Sequence, residues 1–283
     1  MTSWPIGLST GCFYQQNILD CLTSIRASGF SMIEVCSSPA HLDYHDRAAV
    51  EEAAARIHEL GMEAYSFHAP FSDHIDIASP DSSQRAAAVS EILQAAAAAA
   101  LLKVHYFVIH PGPEFSNEIS AEERLARMEN VVASLNLVAA RCRELGIMCV
   151  LENKLPHLLF GNTSDILWIL DAISTSEIGA CLDTGHATIA GDIFTLLHKI
   201  AGHLRIIHAH DNDGHSDIHR TPGDGVIDWE RLLRDLVQAQ FHGAFILELS
   251  SEQDMEATLA KARRGRQFLR ALARRIALHA SVG

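Results

Sequence analysis

Short apolar runs recur along this chain, and between them lie longer segments whose apolar residues return every three or four positions. The runs are Ile6 to Thr10, Met32 to Cys36, Met62 to Phe67, Tyr106 to Ile109, Ile147 to Leu151, Ile178 to Leu182, Leu204 to Ile207 and Ala244 to Leu247. Their length and side-chain types predict eight buried β-strands. The intervening periodicity predicts helices over Asn17 to Ser28, Arg47 to Leu60, Asp81 to Leu102, Ala121 to Leu145, Thr163 to Ala172, Asp192 to Ile200, Asp228 to Ala239 and Glu256 to Leu278. Capping residues agree with these limits. Ser120 opens the fourth helix with Glu123 three residues later, and Gly29, Gly61 and Gly146 follow the ends of the first, second and fourth. Eight β-then-α units in 283 residues predict an α/β fold, a single (β/α)8 TIM barrel of eight parallel strands ringed by eight helices, with 1–283 as one domain.

In such a barrel the loops at the C-terminal ends of the strands converge over one pocket. Six of the runs are followed there by a residue able to bind metal: His68, His110, Glu152, Asp183, His208 and Glu248. Alternation along a strand sends Glu152 inward with Val150 and Met148, and Glu248 inward with Ile246 and Ala244. One strand-end His or Glu is more often a hydrogen-bonded surface residue than a ligand. Six at equivalent ends point to a site.

Composition narrows the function. Apolar residues make up 48% of the chain, enough for a large core. The opening Met-Thr-Ser-Trp-Pro lacks the basic and apolar regions of a signal peptide. The most apolar stretch, Ala95 to Leu102, is too short to span a bilayer and is expected to pack a helix closely on the barrel. Six cysteines without C-x-x-C spacing are expected to be reduced core residues, in a cytoplasmic protein with no membrane partner. Net charge is −13, and the loops after the first two strands carry no basic cluster, which argues against a nucleic-acid partner.

The motifs His68-Ala-Pro, His110-Pro-Gly, Leu151-Glu-Asn, Leu182-Asp-Thr-Gly-His186, His208-Ala-His-Asp, Asp217-Ile-His219, Pro222-Gly-Asp-Gly and Leu247-Glu-Leu resemble the xylose isomerase-like barrel superfamily from about Ile6 to Ser250. That superfamily includes sugar and sugar-phosphate isomerases and epimerases, inosose-metabolising enzymes, dehydroshikimate dehydratases and the endonuclease IV group. The resemblance implies that Glu152, Asp183, His208 and Glu248 hold one divalent cation. Such a ligand set suits Zn²⁺ or Mn²⁺ first, with Co²⁺, Fe²⁺ or Mg²⁺ as alternatives; no nucleotide cofactor is expected. It also implies that His186 contacts substrate oxygens. Together with His68, His110, His186, Asp217 and His219, the same four residues match all nine ligands of the trinuclear zinc cluster of endonuclease IV.

The expected chemistry is isomerisation or epimerisation of a sugar, sugar phosphate or inosose through a metal-stabilised enediolate, with Glu152 and Glu248 as the proton-transferring pair. An endonuclease IV-like phosphodiesterase and a dehydratase of the dehydroshikimate or inosose type are the alternatives. A binding-only barrel is disfavoured because both glutamates are retained. His68, His110, His186, His219, His210, Lys154, Arg220 and Glu34 are candidates for substrate contact, with Lys154 or Arg220 suited to an anionic group. His210 lies two residues beyond His208 and shares its face of the strand. Phe13, Tyr14 and Phe71 are expected to wall an apolar side of a carbohydrate pocket. A homo-oligomer fits the family, although no exposed stripe announces one.

Overall fold

The structure is a computed structural model that describes residues 4–173, 178–191, 193–252 and 254–280, so Met1 to Ser3 of the chain's opening and Asp192 of the sixth expected helix lie outside the described residues. Eight parallel strands run β1 (Ile6–Ser9), β2 (Met32–Cys36), β3 (Glu63–His68), β4 (Tyr106–Ile109), β5 (Met148–Glu152), β6 (Ile178–Asp183), β7 (Leu204–Ala209) and β8 (Ala244–Leu247). They close into a barrel in sequence order, β1 pairing with β8 as well as β2. Strand–helix alternation forces this order, because each helix returns the chain to the next strand's N-terminal end. The described residues hold nine α-helices: α1 (Ile18–Ala27), α2 (Arg47–Glu59), α3 (Ser82–Leu101), α4 (Ala121–Glu144), α5 (Thr163–Ala172), α6 (Thr184–Ile189), α7 (Ile193–Ile200), α8 (Trp229–Gln238) and α9 (Met255–Ala280).

The expected strands and outer helices are found within a few residues. Two elements are additional: α6, and a 3₁₀ turn over Thr10–Phe13 that takes Thr10 out of the first strand. Nothing in the periodicity predicts α6, because it continues from β6 without a loop. Asp183, the last residue of β6, is also its N-cap, accepting from the His186 amide at 2.7 Å.

Start and stop signals act as expected. Ser120 accepts from the Glu123 amide, while the Glu123 carboxylate pairs with Arg127 rather than closing a capping box. Gly29 and Gly61 follow α1 and α2 at φ of 84° and 61°. Ala95, Ala96, Ala98 and Ala99 of α3 are buried, so that helix packs closely.

Core residues divide into two clusters. The larger lies between strands and helices, and the smaller fills the barrel with Val108, Val150, Cys181, Ile206 and Ile246, with Met32, Tyr65, Tyr106 and Met148 packed against it. Val150 and Met148 thus face inward beneath Glu152, and Ile246 beneath Glu248. Two register shifts adjust the alternation: Ile33 and Glu34 pair with Ala64 and Ser66, and Ala180 and Cys181 with Leu204 and Ile206. Each gives β3 or β7 an extra residue and re-aims the side chains beyond it. Gly7 answers a packing need, since a Cβ there would lie 2.9 Å from Ile246 Cδ1. The Ile246 side chain is fully buried in the barrel layer under the site. Ile246→Ala should destabilise the fold by about 2–5 kcal/mol, read as a lower urea midpoint at unchanged slope.

Candidate active site

All nine residues matched to the metal ligands come together at the C-terminal end of the barrel. Glu152, Asp183 and His208 are the ends or near-ends of their strands; His110 and Glu248 are one residue beyond β4 and β8. Glu152, Asp183, His208 and Glu248 form one group whose potential ligand atoms lie within 4.8 Å of one another. His68, Glu152 and His208 form a second, and His186, His210, Asp217 and His219 a third. Glu152 links the first two. Its Oε1 is 3.0 Å from His208 Nδ1, and its Oε2 is 3.2 Å from His68 Nε2 and 3.5 Å from His110 Nε2. Glu248 Oε2 approaches the same His208 Nδ1 at 3.5 Å.

Five histidines share one arrangement. Each gives one ring nitrogen to a supporting backbone or carboxylate acceptor and aims the other inward. Nδ1 donates from His68 to Ala69 O, from His186 to Asn153 O, from His219 to Glu248 O and from His110 to Glu114 Oε1. In His208 the roles reverse: Nε2 donates to Glu34 at 3.0 Å and Nδ1 faces the glutamates. Outer acceptors that hold one ring nitrogen and turn the other inward are the arrangement expected around a cation. The donor set, carboxylate and imidazole without thiolate, fits Zn²⁺, Mn²⁺, Fe²⁺ or Co²⁺.

His210 is different. It lies in the third group, yet its ring is stacked on His219 at 3.8 Å with the planes only 5° apart. Parallel stacked rings cannot both point their in-plane lone pairs at one ion, so His210 is a platform for His219. Its Nε2 donates to Asp183 at 2.9 Å, and its buried Nδ1 has no hydrogen-bond partner among the described residues. Gly185 makes room for this ring, because a Cβ there would lie 2.0 Å from His210 Cε1.

Several supporting residues were not singled out from sequence. Asn153 clamps Asp183 through both backbone groups, at 2.8 and 3.1 Å. Thr184 Oγ1 donates to the carbonyls of His208 and His210, and Asn212 Nδ2 to that of Gly185, tying β6 to β7. Asp211 accepts from the Gly223 and Ile227 amides and the Trp229 indole, which explains the Pro222-Gly-Asp-Gly motif as part of a loop folded around one buried carboxylate. That loop anchors the segment carrying Asp217 and His219. His219 has a left-handed φ of 42°, a strained conformation held by the Ser250 amide on its carbonyl. The motifs Glu-Asn, Asp-Thr-Gly-His and His-Ala-His-Asp were the available signal for these residues.

Three residues expected as substrate contacts have other partners in the structure. Glu34 is fully buried under the site, accepting from Ser66 as well as His208. Lys154 is 1% exposed, and its Nζ donates to the carbonyls of Gly112 and Pro113 and lies 3.0 Å from Glu114. Arg220 is exposed, pairs with Asp211 through its backbone and does not line the cavity. Of the aromatics, Tyr14 and Phe71 line the cavity, whereas Phe13 is buried in the core. Away from the site, His41 is buried and bonded to Gln16 O.

The cluster concentrates negative charge. Burial works against ionisation of Glu152, but His208, His110 and His68 hold its carboxyl well below the usual range. Glu248 is instead pushed up, first by burial and then by Glu152 and Glu34. Burial opposes charge on the imidazoles, yet Glu152 raises His68 to about 9 and Asp183 with Asp217 raises His186 to about 10.

The chemistry of the floor and its position define the class: a (β/α)8 barrel with a carboxylate–imidazole cluster at the mouth of its strands. The chain belongs to the Xylose isomerase-like TIM barrel family, which it matches over residues 22–272. It is 28% identical over 258 residues to an uncharacterised protein of Methanocaldococcus jannaschii, covering 88% of this chain and 84% of that one. It is 27% identical over 214 residues to a probable endonuclease 4 of Aster yellows witches'-broom phytoplasma, covering 68% of each. The fold is similar to that of a D-tagatose 3-epimerase-like protein, with a TM-score of 0.85, 22% identity and coverage of 98% of this chain and 99% of that one.

The geometry makes two outcomes testable. Glu34→Gln keeps an acceptor beside His208 but removes the charge that orients it, and should weaken Mn²⁺ or Zn²⁺ binding by roughly 10–100-fold in chelator competition. The raised imidazoles stabilise the metal-free protein fully below their ordinary value of 6.5 and cease to do so as pH rises through about 9 to 10. Asp183, which burial pushes up but His186 and His210 hold at about 2, contributes above its ordinary 3.8, and that contribution is lost as pH falls through about 2. The melting temperature of chelator-treated protein should therefore fall on the alkaline side. Added metal, which binds deprotonated imidazole, should reverse that trend in a pH series of melting curves.

Proposed function

We propose that this protein is a divalent-metal-dependent sugar isomerase or epimerase acting by proton transfer next to a carbonyl. The observation that carries the reading is the meeting of Glu152 and Glu248 at His208 Nδ1 on the cavity floor. Glu152, Asp183, His208 and Glu248 would hold the ion. When bound, a Zn²⁺ or Mn²⁺ ion supplies Lewis acidity that polarises the carbonyl and offsets the charge of the enediolate.

The substrate's carbonyl end lies between the two glutamates. One carboxylate takes the proton from the carbon beside the carbonyl, and the released electron pair moves onto the carbonyl oxygen. The other returns a proton. Delivery to the opposite face of the same carbon gives the epimer, and delivery to the former carbonyl carbon, with transfer of the hydroxyl proton, gives the isomer. His186 and His219 face the cavity and contact substrate oxygens, as do His68 and His110. A substrate with a β-hydroxyl would instead lose water from the same enolate, giving a dehydratase. Free cysteines throughout the chain support a reducing compartment, the cytoplasm, and no described helix is long and apolar enough to cross a membrane.

A second reading has its own support. The three adjacent candidate groups, with all nine matched residues, suit an endonuclease IV-like trinuclear zinc phosphodiesterase. The net charge of −13 favours the sugar reading, since a duplex would meet a repelling surface. Metal content of protein purified without chelator separates the two: one ion per chain is expected, and three zinc ions with nicking of abasic DNA would displace the isomerase reading. Glu248→Gln should reduce solvent-deuterium incorporation into ketoses by at least about 100-fold while the protein still folds. Full exchange in that variant would refute the two-glutamate mechanism.

A further inference from the structure

The cavity above the cluster has a volume of about 780 Å³, in the range of pockets that enclose ligands considerably larger than a monosaccharide. Its two sides differ. Toward β8, β1 and β2 the loops mix the hydroxyls of Ser37, Ser38, Ser250 and Tyr14 with the apolar Pro39 and Leu249. Toward β3 and β5 they present Phe71, Ile75, Leu155 and Leu158. Phe71 is 51% exposed at the mouth, its ring 4.8 Å from that of His110 and 5.1 Å from that of His68. The apolar wall therefore rises directly from the inner histidines, and leaves a large aromatic face in water until something covers it.

Above the floor histidines, the walls also lack a free lysine or arginine for an anion. Among the described residues, Lys154 is the one lysine or arginine that lines the cavity. An ammonium has three donors, and those of Lys154 are taken by the Gly112 and Pro113 carbonyls and by Glu114. The same pair presents Glu114 to the cavity, a charge opposite to the one a phosphate requires. Asp217 lines it as well. A phosphate at the end remote from the floor histidines would be desolvated beside Glu114 with no free lysine or arginine to receive it.

Resting on the carbonyl-sugar reading above, we propose that the substrate is an unphosphorylated, uncharged carbonyl sugar bearing an apolar substituent at the end remote from the carbonyl. The carbonyl end lies over Glu152 and Glu248, the polyol faces the serine side, and the substituent covers Phe71, Leu155 and Leu158.

The test uses full-length, Mn²⁺-loaded protein with three probes: D-fructose, D-fructose 6-phosphate and 6-O-benzyl-D-fructose. Calorimetry measures binding and, separately, deuterium incorporation from heavy water reports chemistry. The benzyl ether should bind about tenfold tighter than fructose or better, and the phosphate ester more weakly than fructose. Phe71→Ala, at an exposed position where the fold tolerates truncation, should narrow the benzyl advantage by about fivefold. Tightest binding of the phosphate ester, no advantage for the benzyl ether, or no binding of any probe overturns the inference. The expected binding order without deuterium incorporation from any probe supports the ligand class and counts against the isomerase chemistry instead.

Discussion

Strand register is the constraint on which the rest of this molecule depends. In a closed barrel each side chain points either into the lumen or into the helix layer, and a slip of one residue exchanges the two. Here Asp183 is aligned with His208, and Glu34 with Ser66, through pairings that include two register shifts. The shift in β3 brings Ser66 and His68 inward together; that in β7 places Ile206 in the barrel layer and His208 above it. The pairing of β1 with β8 closes the ring and sets the register of β8, one residue beyond which Glu248 meets Glu152 at His208.

A barrel so arranged gathers carboxylates that repel one another in a place where water cannot screen them. Glu34, Glu152 and Asp183 are essentially buried. The histidines neutralise part of this charge, which is why their affinity for protons rises, and the same charges would favour a divalent ion once the imidazoles release their protons. The structure supports the candidate ligands from behind with hydrogen-bonded groups that do not line the cavity: Glu34 on His208, Asn153 and His210 on Asp183, Asp211 under the loop that carries Asp217 and His219. Rigid support of this kind holds donor atoms at separations suited to an ion.

The eight strand–helix units, their order, and the strand-end residues of the site were legible in the chain because they rest on local periodicity, and because a (β/α)8 barrel brings equivalent strand ends together by symmetry. Lys154 shows where that reasoning stops. A lysine after Glu-Asn at a strand end reads as an anion contact, yet its ammonium is closed off by two carbonyls and Glu114. Nothing local to residue 154 announces the loop carrying Gly112 and Pro113. Glu34 shows the same limit in the other direction: a residue expected to contact substrate lies beneath the site because Ser66 and His208 converge on it from two other strands.

By itself the sequence determined the alternation of strands and helices, the inward phase of β5 and β8, and the chemical identity of the donor set, since these depend on residues near one another in the chain or on one residue per strand. Only the tertiary structure decided which ring nitrogen of each histidine faces the centre, that His210 stacks on His219, that Asp183 serves β6 and α6 at once, and that among the described residues no free lysine or arginine lines the cavity. Those outcomes depend on contacts between strands remote in sequence and on the geometry of closure, and a hydrogen bond across a barrel has no signature in the order of the residues it joins.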